Sequence, residues 1–241
     1  MSDQRLAKEQ EFSKMIAQAH QGEMWYWEKP AGKVRLERRR KLFQENINSK
    51  MRVLELGCGC GHITEAIAKT GAKIVSIDLS PELLEFARKR VPQDNVDFMV
   101  ENAYDLHFEN ESFDAVIGNS ILHHLEIKVA LKEIYRVLKP GGVIFFMEPN
   151  MLNPQMYIQL HVPYLRKLTE HSDDETAFYP FEMKKLLKDA GFKDIYVKPF
   201  DFLHTMLPAP LIPFVSTVGN IVERIPLISE IGGSMIVKAK K

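Results

Sequence analysis

The sequence predicts an α/β fold: a doubly wound, mostly parallel sheet of seven strands with helical lid additions. Three observations carry this reading. Between Met51 and Phe200, short apolar runs alternate with segments of helical spacing. A glycine-rich turn, Gly57, Gly59 and Gly61, joins the first apolar run to the first helical segment. A Pro140-Gly141-Gly142 break separates another helical stretch from another apolar run. Such alternation buries a parallel sheet between helices on its two faces.

The elements come in order along the chain. MRVLEL is a short apolar run and reads as a buried strand; HITEAIAKTG has helical spacing and stops at Gly71. AKIVSID is the second strand. SPELLEFARKRV opens with Ser80 as N-cap and Pro81 at the first helical position, where a missing N–H costs nothing. NVDFMV and FDAVIGN are the third and fourth strands. KVALKEIYRVLK is a helix that the Pro-Gly-Gly break ends, and GVIFFME is the fifth strand. YPFEMKKLLKDAGF is a helix closed by Gly191, and KDIYVKPF and SMIVKAK complete the strands. Three pieces fall outside the alternation: residues 1–50, 151–179 and 201–233. Ligands of an open parallel sheet sit beyond the carboxyl ends of its strands. The chain therefore divides into an N-terminal helical lid, 1–50, and a core, 51–241, whose insertions at 151–179 and 201–233 form a substrate cap.

Composition limits the function classes. A chain of 241 residues suits one domain with additions. Its 32 basic and 32 acidic side chains balance, which argues against a broad nucleic-acid footprint. The two cysteines, Cys58 and Cys60, stand inside the glycine turn, too close for an ordinary disulfide and without a second ligand pair for a metal. They read as small residues in a tight loop. The rest of the chain has no cysteine and its start, MSDQRLAKEQEF, has no apolar signal core, so a cytoplasmic setting is expected. Residues 202–222 carry no full charge, but Pro208, Pro210 and Pro213 argue against a spanning helix. Peripheral contact with a membrane is compatible with this stretch.

The glycine turn narrows the ligand. A dinucleotide fingerprint needs G-x-G-x-x-G, whereas His62 comes directly after Gly61; a P-loop ending in Gly-Lys-Ser/Thr is absent. Asp78 ends the second strand, where an acidic residue hydrogen-bonds ribose hydroxyls. The pattern wants a nucleoside and shows no device for a pyrophosphate.

VLELGCGCG followed by IVSIDLSPELLEFAR resembles the class I S-adenosylmethionine-dependent methyltransferases. The resemblance continues through ENAYDLHFENESFDAVIGNSILHHL, LKEIYRVLKPGGVIFFMEPN and FEMKKLLKDAGF, and covers residues 50–200 plus the final strand. It is general toward the ubiquinone-biosynthesis type and does not fix a quinone acceptor. It implies a Rossmann-like sheet with the last strand antiparallel beside the fifth, and S-adenosyl-L-methionine as cofactor. By position, Glu55, Gly57, Cys58, Gly59 and Gly61 would flank the methionine part, Asp78 would hold the ribose, and Leu79 would pack on adenine. Asn102-Ala103 stands where the family usually has Asp-Ala near the adenine amino group, and the backbone of Asn119 would face the sulfonium end.

Methyl transfer needs two oriented reactants and exclusion of water, plus a base when the nucleophile is a hydroxyl. His124 and His123, after the fourth strand, are the candidate bases; the alternative is a structural turn. His62, opening a helix, reads as a cap. Trp25, Tyr26 and Trp27 form an aromatic cluster that is either packed or part of a substrate lid, and Met151 and Tyr157 are lid candidates in the second addition. Arg35, Arg38, Arg39 and Arg40 read as a solvated helix face, or as a partner for phosphate. The apolar third addition is core packing, a roof for a hydrophobic acceptor, or an interfacial helix. The expected acceptor is small and partly hydrophobic, lipid-like if that roof exists, with O-methylation favoured slightly. A protein or RNA methyltransferase and a non-catalytic binding partner of the same fold remain the alternatives.

Overall fold

The computed structural model describes residues 14, 27–162, 164 and 176–241. Seven strands form one sheet: β1 (Arg52–Leu56), β2 (Lys73–Asp78), β3 (Val96–Val100), β4 (Phe113–Asn119), β5 (Leu138–Pro149), β6 (Lys193–Phe200) and β7 (Ser234–Lys240). Their order is β3-β2-β1-β4-β5-β7-β6. The pairs among β1 to β5 are parallel, and β7 runs antiparallel between β5 and β6. The expected doubly wound, mostly parallel sheet of seven strands is therefore present. The helices are α1 (Pro30–Gln44), α2 (Thr64–Ala68), α3 (Pro81–Arg90), α4 (Ile127–Val137), α5 (Pro154–His161), α6 (Pro180–Asp189) and α7 (Ile212–Val222).

Successive side chains of a strand point to opposite faces, and the two cores obey that alternation. Leu54 and Leu56 join Leu131 and Ile134 of α4 and Met183 and Leu187 of α6 on one face. Val53 joins Leu36 and Phe43 of α1 and Ile67 of α2 on the other. Phe43 is fully buried and meets the ring of Phe145 edge-on at 4.9 Å. Local chemistry sets the ends. Ser80 caps α3 by accepting from the Leu83 N–H at 3.2 Å, and Gly71 and Gly191 take left-handed φ of 77° and 94°. The helix expected to reach Lys139 stops at Val137, because Leu138 already pairs with Phe113 in the sheet. Pro140 disfavours helical geometry at the residue before it, which helps that early exit.

The arginine run of α1 is not a solvated face, which corrects the sequence expectation. Arg35 Nε donates to Asp201 at 2.8 Å, and Arg38 grips Glu223 with both terminal nitrogens, at 2.7 and 2.5 Å. Arg40 donates to the His62 carbonyl and to Glu65. Arg39 is buried, donating to Asn119 Oδ1 at 2.9 Å, Ser234 Oγ at 2.6 Å and Asp201 at 3.3 Å. Burial lowers the Arg39 pKa to about 10, so it stays charged at neutral pH. The partners come from segments remote in sequence, which a helical pattern cannot reveal.

Phe43→Ala is expected to cost about 3–5 kcal/mol, because it removes a fully buried ring at the α1–sheet contact. Urea unfolding followed by circular dichroism checks this; a loss below about 1 kcal/mol would show α1 to be loosely attached.

Candidate functional site

The site begins where β1 meets its turn. Gly57, Gly59 and Gly61 all adopt left-handed φ, at 61°, 52° and 78°. A Cβ on Gly57 would lie 2.6 Å from Ile121 Cδ1, so that position tolerates only glycine. The turn is fastened to the end of the neighbouring strand. Cys58 N–H donates to the Ile77 carbonyl at 3.0 Å, and Gly59 N–H donates to Asp78 Oδ2 at 2.9 Å. The other Asp78 oxygen accepts from the Ser80 N–H at 3.0 Å. Burial pushes the Asp78 carboxyl up, while the N–H groups of Ser80, Gly59 and Leu79 and the His124 ring pull it down. His124 thus acts on the same carboxylate that holds the loop.

Glu55 lies beneath the loop, almost wholly buried. Its Oε2 accepts from Thr64 Oγ1 and Ser76 Oγ, both at 2.7 Å. Burial raises its pKa to about 7, with the two hydroxyls opposing. Cys58 and Cys60 are buried and not joined in a disulfide, and burial pushes the Cys58 thiol well up.

The turn after β4 forms the facing wall. Ser120 has a φ of 55°, which turns the chain sharply, and its N–H donates to the Met147 carbonyl at 2.7 Å. Glu148, fully buried near the end of β5, organises the residues just after Ser120. Its Oε1 accepts from the N–H groups of Ile121 and Leu122, at 3.1 and 2.9 Å. Its Oε2 meets His123 Nδ1 at 2.7 Å. His123 is therefore buried and anchored, while His124 is half-buried in the same short 3-10 turn, with the two rings 4.2 Å apart. Sequence reasoning does not single out Glu148; the one signal for it is a carboxylate closing an otherwise apolar central strand, GVIFFME.

The remaining residues divide. Leu79, Asn102 and Ala103 are half-buried beyond the ends of β2 and β3. Asn102 Oδ1 accepts from the Tyr104 N–H at 3.0 Å, so it shapes its own turn. Asn119 ends β4, and its side-chain carbonyl is taken by Arg39. Trp27 is buried, with the Arg39 guanidinium 5.9 Å from its ring centre. Trp25 and Tyr26 lie outside the described residues. Met151 is half-buried after β5, its N–H bonded to the Phe178 carbonyl. Tyr157 points outward on α5 and stacks on His161 at 4.1 Å. His62 caps nothing: α2 starts at Thr64 without a side-chain cap. Both His62 ring nitrogens are buried without a hydrogen-bond partner, and burial, helped by Arg90 and Arg40, lowers its pKa to about 3.

These features fit a nucleoside cofactor. Three left-handed glycines let the turn after β1 pack tightly, Gly57 against Ile121 and Gly61 against Ala87, a half-buried carboxylate stands at the end of β2, and a second loop closes from β4. Residues 54–146 match the family model of the methyltransferase domain. The demethylmenaquinone methyltransferase of Chlorobaculum tepidum is 30% identical over 174 residues, covering 65% of this chain and 71% of the relative. That of Staphylococcus aureus is 31% identical over 185 residues, covering 68% and 76%. A solved S-adenosylmethionine-dependent methyltransferase of Thermotoga maritima superposes with a TM-score of 0.60 at 21% identity, covering 79% of this chain and 82% of its own. The chain belongs to the S-adenosylmethionine-dependent methyltransferases of class I. It is a methyl-transferring enzyme, its cofactor is S-adenosyl-L-methionine, and it resembles the quinone-biosynthesis types.

Asp78→Ala removes the bond that holds Gly59, and the affinity for S-adenosylhomocysteine is expected to fall about 10- to 100-fold by calorimetry. Unchanged affinity would remove Asp78 from the binding site. The raised Glu55 pKa has a second consequence. Its folded value, about 7, lies above the ordinary value of 4.5, so the unfolded chain ionises first as pH rises. Stability from this group is full below pH 4.5 and is lost progressively up to pH 7, by about 3 kcal/mol. Glu55→Gln should flatten that part of the profile in urea melts at pH 5 and pH 8; an unaltered slope would exclude Glu55 as its source.

Proposed function

We propose that the enzyme methylates a small, partly hydrophobic, lipid-like acceptor carrying an acidic hydroxyl, of the quinol or phenol class. One observation carries the reading: the additions that begin after Asn150 and after Phe200, the second of them apolar, leave the sheet at the same carboxyl edge as the glycine turn. They come after β5 and β6, and β7 returns antiparallel from that edge. The names of the relatives, which act on demethylmenaquinone, support the same class. The equal numbers of acidic and basic side chains speak against an RNA substrate. Two cysteines outside any disulfide suit a reducing, cytoplasmic setting.

When bound, the cofactor supplies a methyl group already activated on a sulfonium. The chain's own residues then have three tasks. Gly57 to Gly61 and Glu55 receive the amino-acid end, Asp78 the ribose, Leu79 and the Asn102-Ala103 turn the base, and Asn119 borders the reacting end. Trp27 and Met151, with α1, exclude water as a lid. His124 takes the proton of the acceptor hydroxyl, leaving an anion that is nucleophilic at oxygen and, through the ring, at the neighbouring carbon. Oxygen is the favoured atom. Glu148 serves by holding the turn: three N–H groups and the His123 ring converge on its carboxylate. His123 is a second, less exposed base and chiefly a prop for His124.

His124→Ala should lower turnover about 10²- to 10⁴-fold while S-adenosylhomocysteine affinity is kept. The assay is transfer of labelled methyl to a short-chain quinol, with the product atom read by NMR. An unaffected rate would take His124 out of the mechanism. Label entering protein or RNA rather than the quinol would replace the acceptor class.

A further inference from the structure

We infer that the outward face of residues 211–227 is a docking surface for a lipid bilayer, seated beside the mouth of the site. The inference rests on the lipid-like acceptor proposed above, since such a molecule must be collected from the phase that dissolves it. Leu211, Phe214, Val218, Ile221 and Ile225 recur at steps of three and four, which places them on one side of α7 and its extension. All five are exposed, Phe214 by 69%. An ordinary surface helix turns such a stripe inward; α7 buries only Ile212 and Gly219.

The reason lies on its polar side. Glu223 at the end of α7 is drawn inward onto Arg38 and the Asp201 N–H, and Asp201 onto Arg35 and Arg39. Glu230, in the turn that follows Leu227, is the exposed carboxylate at the far end of the face. Asp201 and Glu223 are both buried, so neither presents its negative charge to an anionic surface, while Arg224 remains exposed beside the stripe. The ionic contacts hold the helix by its polar edge and leave its apolar edge outside.

The shape favours a fluid partner. Leu227 is 85% exposed and held at a φ of 70°, a conformation that costs a leucine backbone strain and thrusts its side chain outward. Protruding single side chains enter a bilayer without a matching pocket, whereas a protein partner would have to supply one for each. The face is also continuous with the second addition. Asn150 Nδ2 donates to the carbonyls of Glu230 and Gly232, and Asn153 Nδ2 to that of Ile231, which ties the turn before β7 to the start of α5. No described helix is long and apolar enough to cross a membrane, so the contact is interfacial.

The test is co-sedimentation of the full chain with vesicles of phosphatidylcholine and phosphatidylglycerol, comparing it with the double variant Phe214→Ser, Leu227→Ser. The wild type should pellet, and the variant's partition coefficient should fall at least about tenfold. The variant should keep its S-adenosylhomocysteine affinity and its circular-dichroism spectrum. Equal partition of both proteins, or no binding by the wild type, overturns the proposal. So does a wild-type dimer that the variant dissociates in sedimentation velocity, because the face would then be a self-interface. Quinol methylation in detergent without vesicle binding overturns the docking face and leaves the acceptor standing. Vesicle binding abolished in the variant, without quinol methylation by the wild type, upholds the face and fails the acceptor.

Discussion

A guanidinium buried at the carboxyl edge of the sheet is the constraint on which the arrangement depends. Arg39 remains charged at neutral pH although almost no solvent reaches it. A buried charge is tolerated only when its surroundings answer it. Here the answer comes from β4 through Asn119, from the start of β7 through Ser234, and from Asp201 just after β6. Satisfying one side chain of α1 therefore brings together three strand ends far apart in sequence. Arg35, about one turn away, also donates to Asp201, and Arg38 extends the contact to Glu223 of the third addition. One terminal helix and one late insertion are thus joined at the edge where the glycine turn lies.

The edge repeats a single device. Asp78 after β2 holds the glycine turn, Glu148 near the end of β5 holds the 3-10 turn with the two histidines, and Asp201 after β6 holds the third addition. In each case a carboxylate at or just past a strand end accepts hydrogen bonds from backbone N–H groups, those of the next loop or of a neighbouring one, or receives arginine. Such bonds are stronger than neutral ones and fix geometry as well as energy. Glu55, one layer deeper, is answered among the described residues by two hydroxyls, and burial displaces its carboxyl toward neutrality.

Much of this architecture is legible in the sequence. The glycines declare a left-handed turn because no other residue adopts it cheaply, and Ser80 and Pro81 declare a helix start that the Leu83 N–H bears out. Short apolar runs mark all seven strands. The misreadings share one origin. The arginines of α1 look solvated because a run of basic residues normally is, and their hydrogen-bond partners lie 22 to 195 positions away. His62 looks like a cap because it precedes a helix, yet its ring is buried without a hydrogen-bond partner. The anchoring of His123 by Glu148 becomes visible only once two strands are neighbours.

The sequence by itself determined the order of strands and helices, the glycine turn, the acidic residue that closes it, and through these the family and its cofactor. Each is a local matter, set by backbone freedom, side-chain periodicity and spacing within one βαβ unit. Only the tertiary structure decided which carboxylates would meet the arginines of α1, which histidine would be pinned, and that α7 would turn its apolar side outward. These outcomes depend on long-range pairing of buried charge, and such pairing has no periodicity to read.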